Sequence, residues 1–151
     1  MSYILNKISW DKDFANKIKL CDMIQYDMYA DELLGPWFHS EDDSHKYIFS
    51  TIASSVIRSN TKVNGKIRFM TAFGKIDKNQ HYSESQLKIL LQSSNVIEVC
   101  KVMRNMLRQI EAGKFHIDYE RLLDQLIFFN TYPDRQKISW AKDYYSMGSK
   151  K

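Results

Sequence analysis

Apolar residues recur at helical spacing along nearly the whole chain, and few residues interrupt them. Only 5 glycines and 2 prolines occur among 151 residues, with no long β-branched run outside a helix-spaced pattern. Because glycine and proline most disfavour helix interiors, this scarcity favours an all-α protein. We predict a compact bundle of about six to eight helices. We also expect residues 1–151 to form a single domain, which at this length buries roughly two-thirds of the unfolded surface.

The periodicity predicts three helices in the first half of the chain. The first is expected from about Trp10 to Tyr29, and the second from about Ser44 to Arg58. A short third helix is expected from Lys66 to Phe73, stopping at Gly74. The predicted inward residues of the first two helices are Trp10, Phe14, Ile18, Cys21, Ile24, Met28, Ile48, Ile52, Ser55 and Val56.

Capping signals organise the second half. Ser83 with Gln86 has the form of a capping box and predicts a helix start, and Asn95 begins a long helix that Gly113 ends. Asp118 is expected to cap the next helix, and Pro133 to open the last one. The residues of the long helix that are predicted to face inward are Val96, Val99, Cys100, Met103, Leu107 and Ile110. The helix that Asp118 caps carries Tyr119, Leu122, Leu123, Leu126 and Ile127.

The sequence carries no recognisable catalytic motif. It has no nucleophile elbow, phosphate-binding glycine loop or zinc-protease signature, so we expect no enzyme and no cofactor. His39, Asp42, Asp43 and His45 cluster, but their spacing matches no standard zinc site, so no metal is expected. Both cysteines occupy apolar helical positions and are predicted to be buried thiols.

The amino terminus lacks the apolar stretch of a signal peptide, and no segment approaches the roughly 20 apolar residues that span a bilayer. We therefore expect a soluble cytoplasmic protein without a membrane partner.

Charge is distributed unevenly along the chain. Asp22 to Asp43 contains seven acidic residues and no lysine or arginine, whereas Arg58 to Phe115 contains eleven basic residues against four acidic ones. A segment with this excess of positive charge attracts polyanions, of which phosphate backbones are the commonest inside cells. A lysine-rich solvated surface remains the alternative.

Three basic groups are candidate phosphate contacts. The first is a stripe of Lys101, Arg104 and Arg108 at positions i, i+3 and i+7 of one helix, although pairing with Glu98 and Glu111 would make it an ordinary exposed face. The second surrounds a polar loop, and the third lies on the final helix beside Tyr132, a possible stacking platform. The second group is Arg58, Lys62, Lys66 and Arg68, and the third is Arg135, Lys137 and Lys142.

The last third of the chain, FHIDYERLLDQLIFFNTYPDRQKISWAKDYY, contains two amphipathic helices broken by a proline turn. Its DYERLLDQL helix, basic turn and WAKDYY ending resemble the D-[YW]-x-x-L-L-x-D-L helix and W-A-x-D-[FY]-Y ending of the CasB family, the small subunit of the type I-E CRISPR Cascade surveillance complex. The resemblance covers about Lys66 to Tyr145.

This resemblance implies a helical, non-catalytic subunit that assembles as a pair along the belly of a ribonucleoprotein. Its implied partners are the other Cascade proteins, the guide RNA and the target DNA. It would stabilise the hybrid and the displaced strand, with sequence reading left to the guide RNA. The family's basic positions fall on Arg104, Arg108, Arg135 and Lys137.

Two other functions remain open from the residues alone. One is a helix-turn-helix-like DNA-binding regulator, although no short helix pair with a tight glycine turn is visible. The other is a helical adaptor that binds only proteins through the acidic segment Asp22 to Asp43, which would show no salt-sensitive affinity for nucleic acid.

Overall fold

Helices account for nearly all of the regular structure. The computed structural model describes residues 2–20, 44–60, 63–76 and 80–148, and within these ranges it contains eight α-helices and no strand, which confirms the all-α prediction. The helices are α1 (Ser2–Trp10), α2 (Lys12–Lys19), α3 (Ser44–Arg58), α4 (Phe69–Ile76), α5 (Gln80–Leu91), α6 (Val96–Ala112), α7 (Tyr119–Ile127) and α8 (Pro133–Gly148).

The amino-terminal helix is broken where the sequence predicted continuity. Asp11 adopts an extended conformation, and its side chain accepts a hydrogen bond of 3.0 Å from the Phe14 backbone N–H, so it caps a new helix. Phe14 and Ile18 are buried as predicted, but Trp10 is 68% exposed. The expectation for Trp10 was wrong because the break at Asp11 rotates it off the face of α2. The predicted inward positions Cys21, Ile24 and Met28 lie outside the described residues.

The segment before α4 is extended, which corrects the predicted helix start at Lys66. Asn64 and Ile67 form isolated bridges to Asp118 and Ile117, and the Asp118 N–H donates to the Ile67 carbonyl at 2.8 Å. These bridges hold the backbone in extended geometry until Phe69. The helix then continues through Gly74, so the predicted stop at Gly74 was also wrong.

Gly65 permits this close approach of two backbone segments. A Cβ atom at that position would lie 2.1 Å from the His116 carbonyl oxygen. Because that distance is far inside van der Waals contact, only glycine fits there.

Most capping predictions in the second half are confirmed. The Asn95 side chain accepts from the Glu98 N–H at 3.1 Å, and Asp118 accepts from the Arg121 N–H at 3.0 Å. Gly113 ends α6 and Pro133 opens α8. The capping box at Ser83 was wrong, since α5 begins at Gln80 and Ser83 is buried inside it, where its hydroxyl bonds the Tyr144 hydroxyl.

The long helix α6 lies at the centre of the fold. It packs against α3, α4 and α5, while α8 covers α4 and α3 also contacts α1, α2 and α7. The buried apolar side chains of these helices form one cluster. The predicted inward residues of α3 and α6 are all buried, and all except the polar Ser55 belong to this cluster. Cys100 is fully buried, as expected. This core leaves the outer faces of α6 and α8 to carry the basic residues.

Candidate nucleic-acid interface

The stripe on α6 presents two exposed cations and one anchored arginine. Lys101 and Arg108 are exposed, whereas Arg104 is half-buried. The Arg104 Nε donates to the Thr51 hydroxyl at 2.9 Å, and its guanidinium lies 5.7 Å from the centre of the Tyr47 ring. Arg104 therefore fastens α6 to α3, and Lys101 and Arg108 face outward on either side of it.

The two glutamates on α6 do not form ion pairs with the cations of the stripe, which was the alternative that the sequence left open. Glu111 binds Arg58 rather than Arg108. Glu98 accepts from the Ser94 backbone N–H at 2.7 Å and from its hydroxyl at 2.9 Å, and these bonds lower the Glu98 pKa.

Lys101 and Lys137 lower the same pKa through their charges. A side chain of the α6 stripe and one of the final helix thus act on a single carboxylate. Lys137 is therefore the member of the third group whose charge acts at the amino-terminal end of α6.

The second predicted group is divided by the fold. Arg58 donates from Nε and Nη2 to both oxygens of Glu111, at 2.5 and 3.3 Å, so its guanidinium is engaged in a structural ion pair. Lys66 is exposed on the extended segment. Lys62 lies outside the described residues.

Arg68 leaves this group and joins the final helix. Its Nη1 donates to the Asp143 carboxylate at 3.0 Å, while more than half of its side chain remains exposed. Arg68, Arg135 and Lys142 line one surface hollow of about 310 Å³, together with Ile138, Ser139 and Asp143. Arg68, which is distant in sequence, therefore joins two cations of α8 around a single concavity.

The third group does not lie on one face. Arg135 stacks over the exposed ring of Tyr132, with its guanidinium carbon 4.8 Å from the ring centre. Lys137 instead lies 5.9 Å from the buried Phe129 ring and is half-buried. Arg135 and Lys142 share the hollow because they are two turns apart on α8.

Sequence reasoning missed Arg121. It lines a second hollow of about 480 Å³ beside the first, and its Nη2 donates to the Ser139 hydroxyl at 3.1 Å. Arg135 and Ser139 border both hollows. The position of Arg121 on the flank of an amphipathic helix was the available signal, but α7 was interpreted only through its apolar face.

Carboxylates give the second hollow a different character. Asp118, Glu120 and Asp124 all line it. Burial raises the pKa of Asp124, and the negative charges of Glu120 and Asp118 raise it further. This hollow therefore disfavours a phosphate more than the first one does.

The described residues contain no group of three metal-ligating side chains, and no helix among them is long and apolar enough to cross a membrane. In the acidic histidine cluster only His45 is described, because His39, Asp42 and Asp43 fall in an undescribed range, as does the whole acidic segment from Asp22 to Asp43.

The chain matches the model of a known protein family. The model of the family described as CRISPR-associated protein Cse2 matches residues 18–145, which is most of the chain. This chain belongs to the Cse2 family. No curated protein and no solved structure matches it. Cse2 proteins, also called CasB, are structural subunits of the type I-E Cascade complex in CRISPR defence, so the resemblance seen in the last third is confirmed.

The W-A-x-D-Y-Y ending of this Cse2 protein is largely structural. Trp140 is buried, stacks on Phe129 with ring centres 5.9 Å apart, and donates from Nε1 to Gln125 at 2.8 Å. Asp143 binds Arg68, and the Tyr144 hydroxyl bonds Ser83. The motif thereby joins α8 to α7, α5 and the segment before α4. Its Asp143 also lines the first hollow, which we call the basic hollow after Arg68, Arg135 and Lys142.

Proposed function

We propose that this Cse2-family chain is a non-enzymatic subunit that binds nucleic acid within a cytoplasmic Cascade ribonucleoprotein. It stabilises the guide RNA–target DNA hybrid and the displaced single strand. Its other partners are the remaining Cascade proteins and a second copy of itself. Sequence reading belongs to the guide RNA, so this subunit needs only contacts to the backbone.

The convergence of Arg68, Arg135 and Lys142 around one hollow carries this proposal. Arginine offers a planar fork of donors to phosphate oxygens, and lysine adds a compact charge. Asp143 partly neutralises the positive charge of Arg68 and holds its guanidinium in place. Arg135 and Lys142 contribute the other two positive charges of the hollow. A strand passing over the hollow would exchange its counterions for these charges.

The outer face of α6 carries further cations. Lys101 and Lys137 lie near Glu98, and Arg108 lies two turns beyond Lys101. Seven residues of helix span about 10 Å, so Lys101 and Arg108 are far enough apart to contact two different phosphates of one strand. We propose Lys101, Arg104, Arg108, Arg135 and Lys137 as principal contacts, with Arg68 and Lys142 beside them. Arg58 is left out because Glu111 already occupies its guanidinium.

Rigid placement of these charges supports binding rather than sequence reading. Each cation sits on or beside a helix whose opposite face is buried, and Arg68 and Arg104 are further held by Asp143 and Thr51. Such an array contacts phosphates without inserting an element into a groove. A helix-turn-helix regulator would instead present a recognition helix with base-reading side chains.

The test is fluorescence anisotropy of a labelled single strand of arbitrary sequence, titrated with the full chain at several salt concentrations. We compare the wild type with Arg135→Glu/Lys142→Glu. The matched control, Lys12→Glu/Lys88→Glu, reverses two exposed lysines on α2 and α5 and so changes net charge equally.

The wild type should bind with an affinity that ignores sequence and falls with salt, with a log–log slope of about −0.7 per phosphate neutralised. The hollow variant should lose most of this affinity and part of the slope, while the control retains both. Equal losses of affinity in the two variants would show that net charge, and not the position of these cations, accounts for binding. Absence of binding by the wild type at low salt would favour the protein-only adaptor.

A further inference from the structure

The turn between α7 and α8 exposes two aromatic rings beside the basic hollow. Phe128 is 51% exposed and Tyr132 is 48% exposed, while Phe129 between them is completely buried. The Tyr132 N–H donates to the Phe128 carbonyl at 2.9 Å, which closes the turn. The alternation leaves one ring in the core to hold the turn and displays two to solvent.

This turn is anchored at several points. The Asn130 side chain accepts from the Val96 N–H at the start of α6, at 3.0 Å, and Phe129 stacks on Trp140. The Gln136 N–H donates to the Tyr132 carbonyl, which ties the turn to the first turn of α8. Exposed rings on a rigid support lose little conformational freedom when a planar ligand stacks on them.

Arg135 connects the rings to the charged surface. Its guanidinium stacks over Tyr132, and the same side chain borders both hollows. On one side lie Arg68 and Lys142, which suit phosphate. On the other lie Phe128, Gln125, Gln136, Arg121 and three carboxylates. Because the carboxylates outnumber the two arginines that line this hollow, it suits a neutral group with hydrogen-bonding edges better than an anion.

We propose that Tyr132, with Arg135 stacked on it, and Phe128 form a site for an unpaired nucleobase. The base belongs to a strand whose phosphates contact Arg68 and Lys142. Every base has an aromatic face, so stacking tolerates any sequence, as the proposed backbone binding requires. The inference rests on the proposed nucleic-acid binding and narrows it: the strand on this surface has at least one base unstacked and unpaired.

The experiment compares two labelled probes of equal length and equal phosphate number, oligothymidylate and a chain of abasic sugars. Each is titrated with four full-length proteins: wild type, Tyr132→Leu, Tyr132→Phe and Tyr145→Leu. Tyr132→Phe keeps the ring. Tyr145→Leu removes an equally exposed tyrosine from the far end of α8. Thermal melting of each variant checks that it is folded.

The wild type should bind oligothymidylate on the order of tenfold more tightly than the abasic probe, the scale of one stacked base. Tyr132→Leu should abolish most of that preference without changing the salt dependence for the abasic probe. Tyr132→Phe and Tyr145→Leu should retain it.

Three outcomes overturn the base site, and the first two leave the proposed function standing. Salt-dependent binding with a preference for bases that Tyr132→Leu leaves intact, or with no preference at all, would remove the base site and leave the phosphate-binding function standing. Failure of the wild type to bind either probe at low salt would overturn both.

Discussion

Arg58 and Glu111 join α3 to α6 through a two-pronged ion pair, with the Arg58 Nε and Nη2 donating to separate carboxylate oxygens. Glu111 also accepts from the Ser55 hydroxyl at 2.5 Å, and Ser55 in turn bonds the Tyr119 hydroxyl at 2.7 Å. Arg104 and Thr51 connect the same two helices at the same separation of 53 residues in sequence, so α3 and α6 run parallel.

Glu111→Ala should lower the free energy of unfolding by about 2 kcal/mol. It removes a carboxylate that is only 8% exposed, and so the Ser55 hydroxyl and the Arg58 guanidinium lose their hydrogen bonds to it. Asp13→Ala, which removes a solvent-exposed pair with Lys17, should cost less than about 0.5 kcal/mol. Urea unfolding measures both. Equal costs would mean that the Glu111 network adds no more than a surface pair.

The free energy of unfolding should depend at high pH on the ionisation of the Tyr119 phenol. Burial raises the pKa of the Tyr119 phenol. Below pH about 10 the phenol is protonated in folded and unfolded chains alike, so its contribution is complete. At higher pH the unfolded chain ionises first, which favours unfolding.

Tyr119→Phe isolates this effect. The variant should be about 1 kcal/mol less stable than the wild type at pH 7, because it loses the hydroxyl bonds to Ser55 and Ser59. That difference should shrink as pH rises past about 10, measured by urea unfolding at each pH. A difference that stays constant to pH 11 would contradict the raised pKa.

Gly65→Ala should destabilise the protein by about 3 kcal/mol or more, because the new methyl group meets the His116–Ile117 backbone. Lys66→Ala, at the exposed neighbouring position, should change stability by about 0.5 kcal/mol or less. Thermal melting distinguishes the two. A stable Gly65→Ala protein would show that the extended segment moves away from residue 116 at little cost.

Truncation of the two described tryptophans should destabilise the protein to very different extents. Trp140→Ala should cost about 3–5 kcal/mol, since it removes a fully buried ring, its stacking on Phe129 and its hydrogen bond to Gln125. Trp10→Ala should cost about 0.5 kcal/mol or less, since Trp10 is exposed. Urea unfolding of each variant supplies the comparison, and a large loss at Trp10 would contradict its position.

Charge reversal should separate anchoring from binding on α6. Arg104→Glu should lower the melting temperature because it breaks the contacts with Thr51 and Tyr47. Lys101→Glu/Arg108→Glu should leave melting nearly unchanged while weakening strand binding, because both side chains are exposed. Thermal melting and fluorescence anisotropy, measured on the same samples, test the predicted effects on stability and on strand binding. A strong loss of stability in the double variant would make the stripe structural.

Helix content and most helix ends in the second half were predictable because their signals are local. Asn95 and Asp118 cap their helices through side chains that reach only three residues ahead. Periodicity likewise identified the inward face of α6. Local signals failed at Trp10 and Ser83, where a competing cap at Asp11 and an earlier start of α5 prevailed.

The sequence by itself therefore determined the all-α class, the face that each main helix buries, the excess of positive charge and the motif that resembles the Cse2 family. Only the tertiary structure decided which charges cooperate. Arg58 pairs with Glu111, while Arg68 joins Arg135 and Lys142 across 67 and 74 residues of chain. Helix periodicity relates residues within a few turns, whereas a binding surface depends on how separate helices pack, and that is set by the whole core at once.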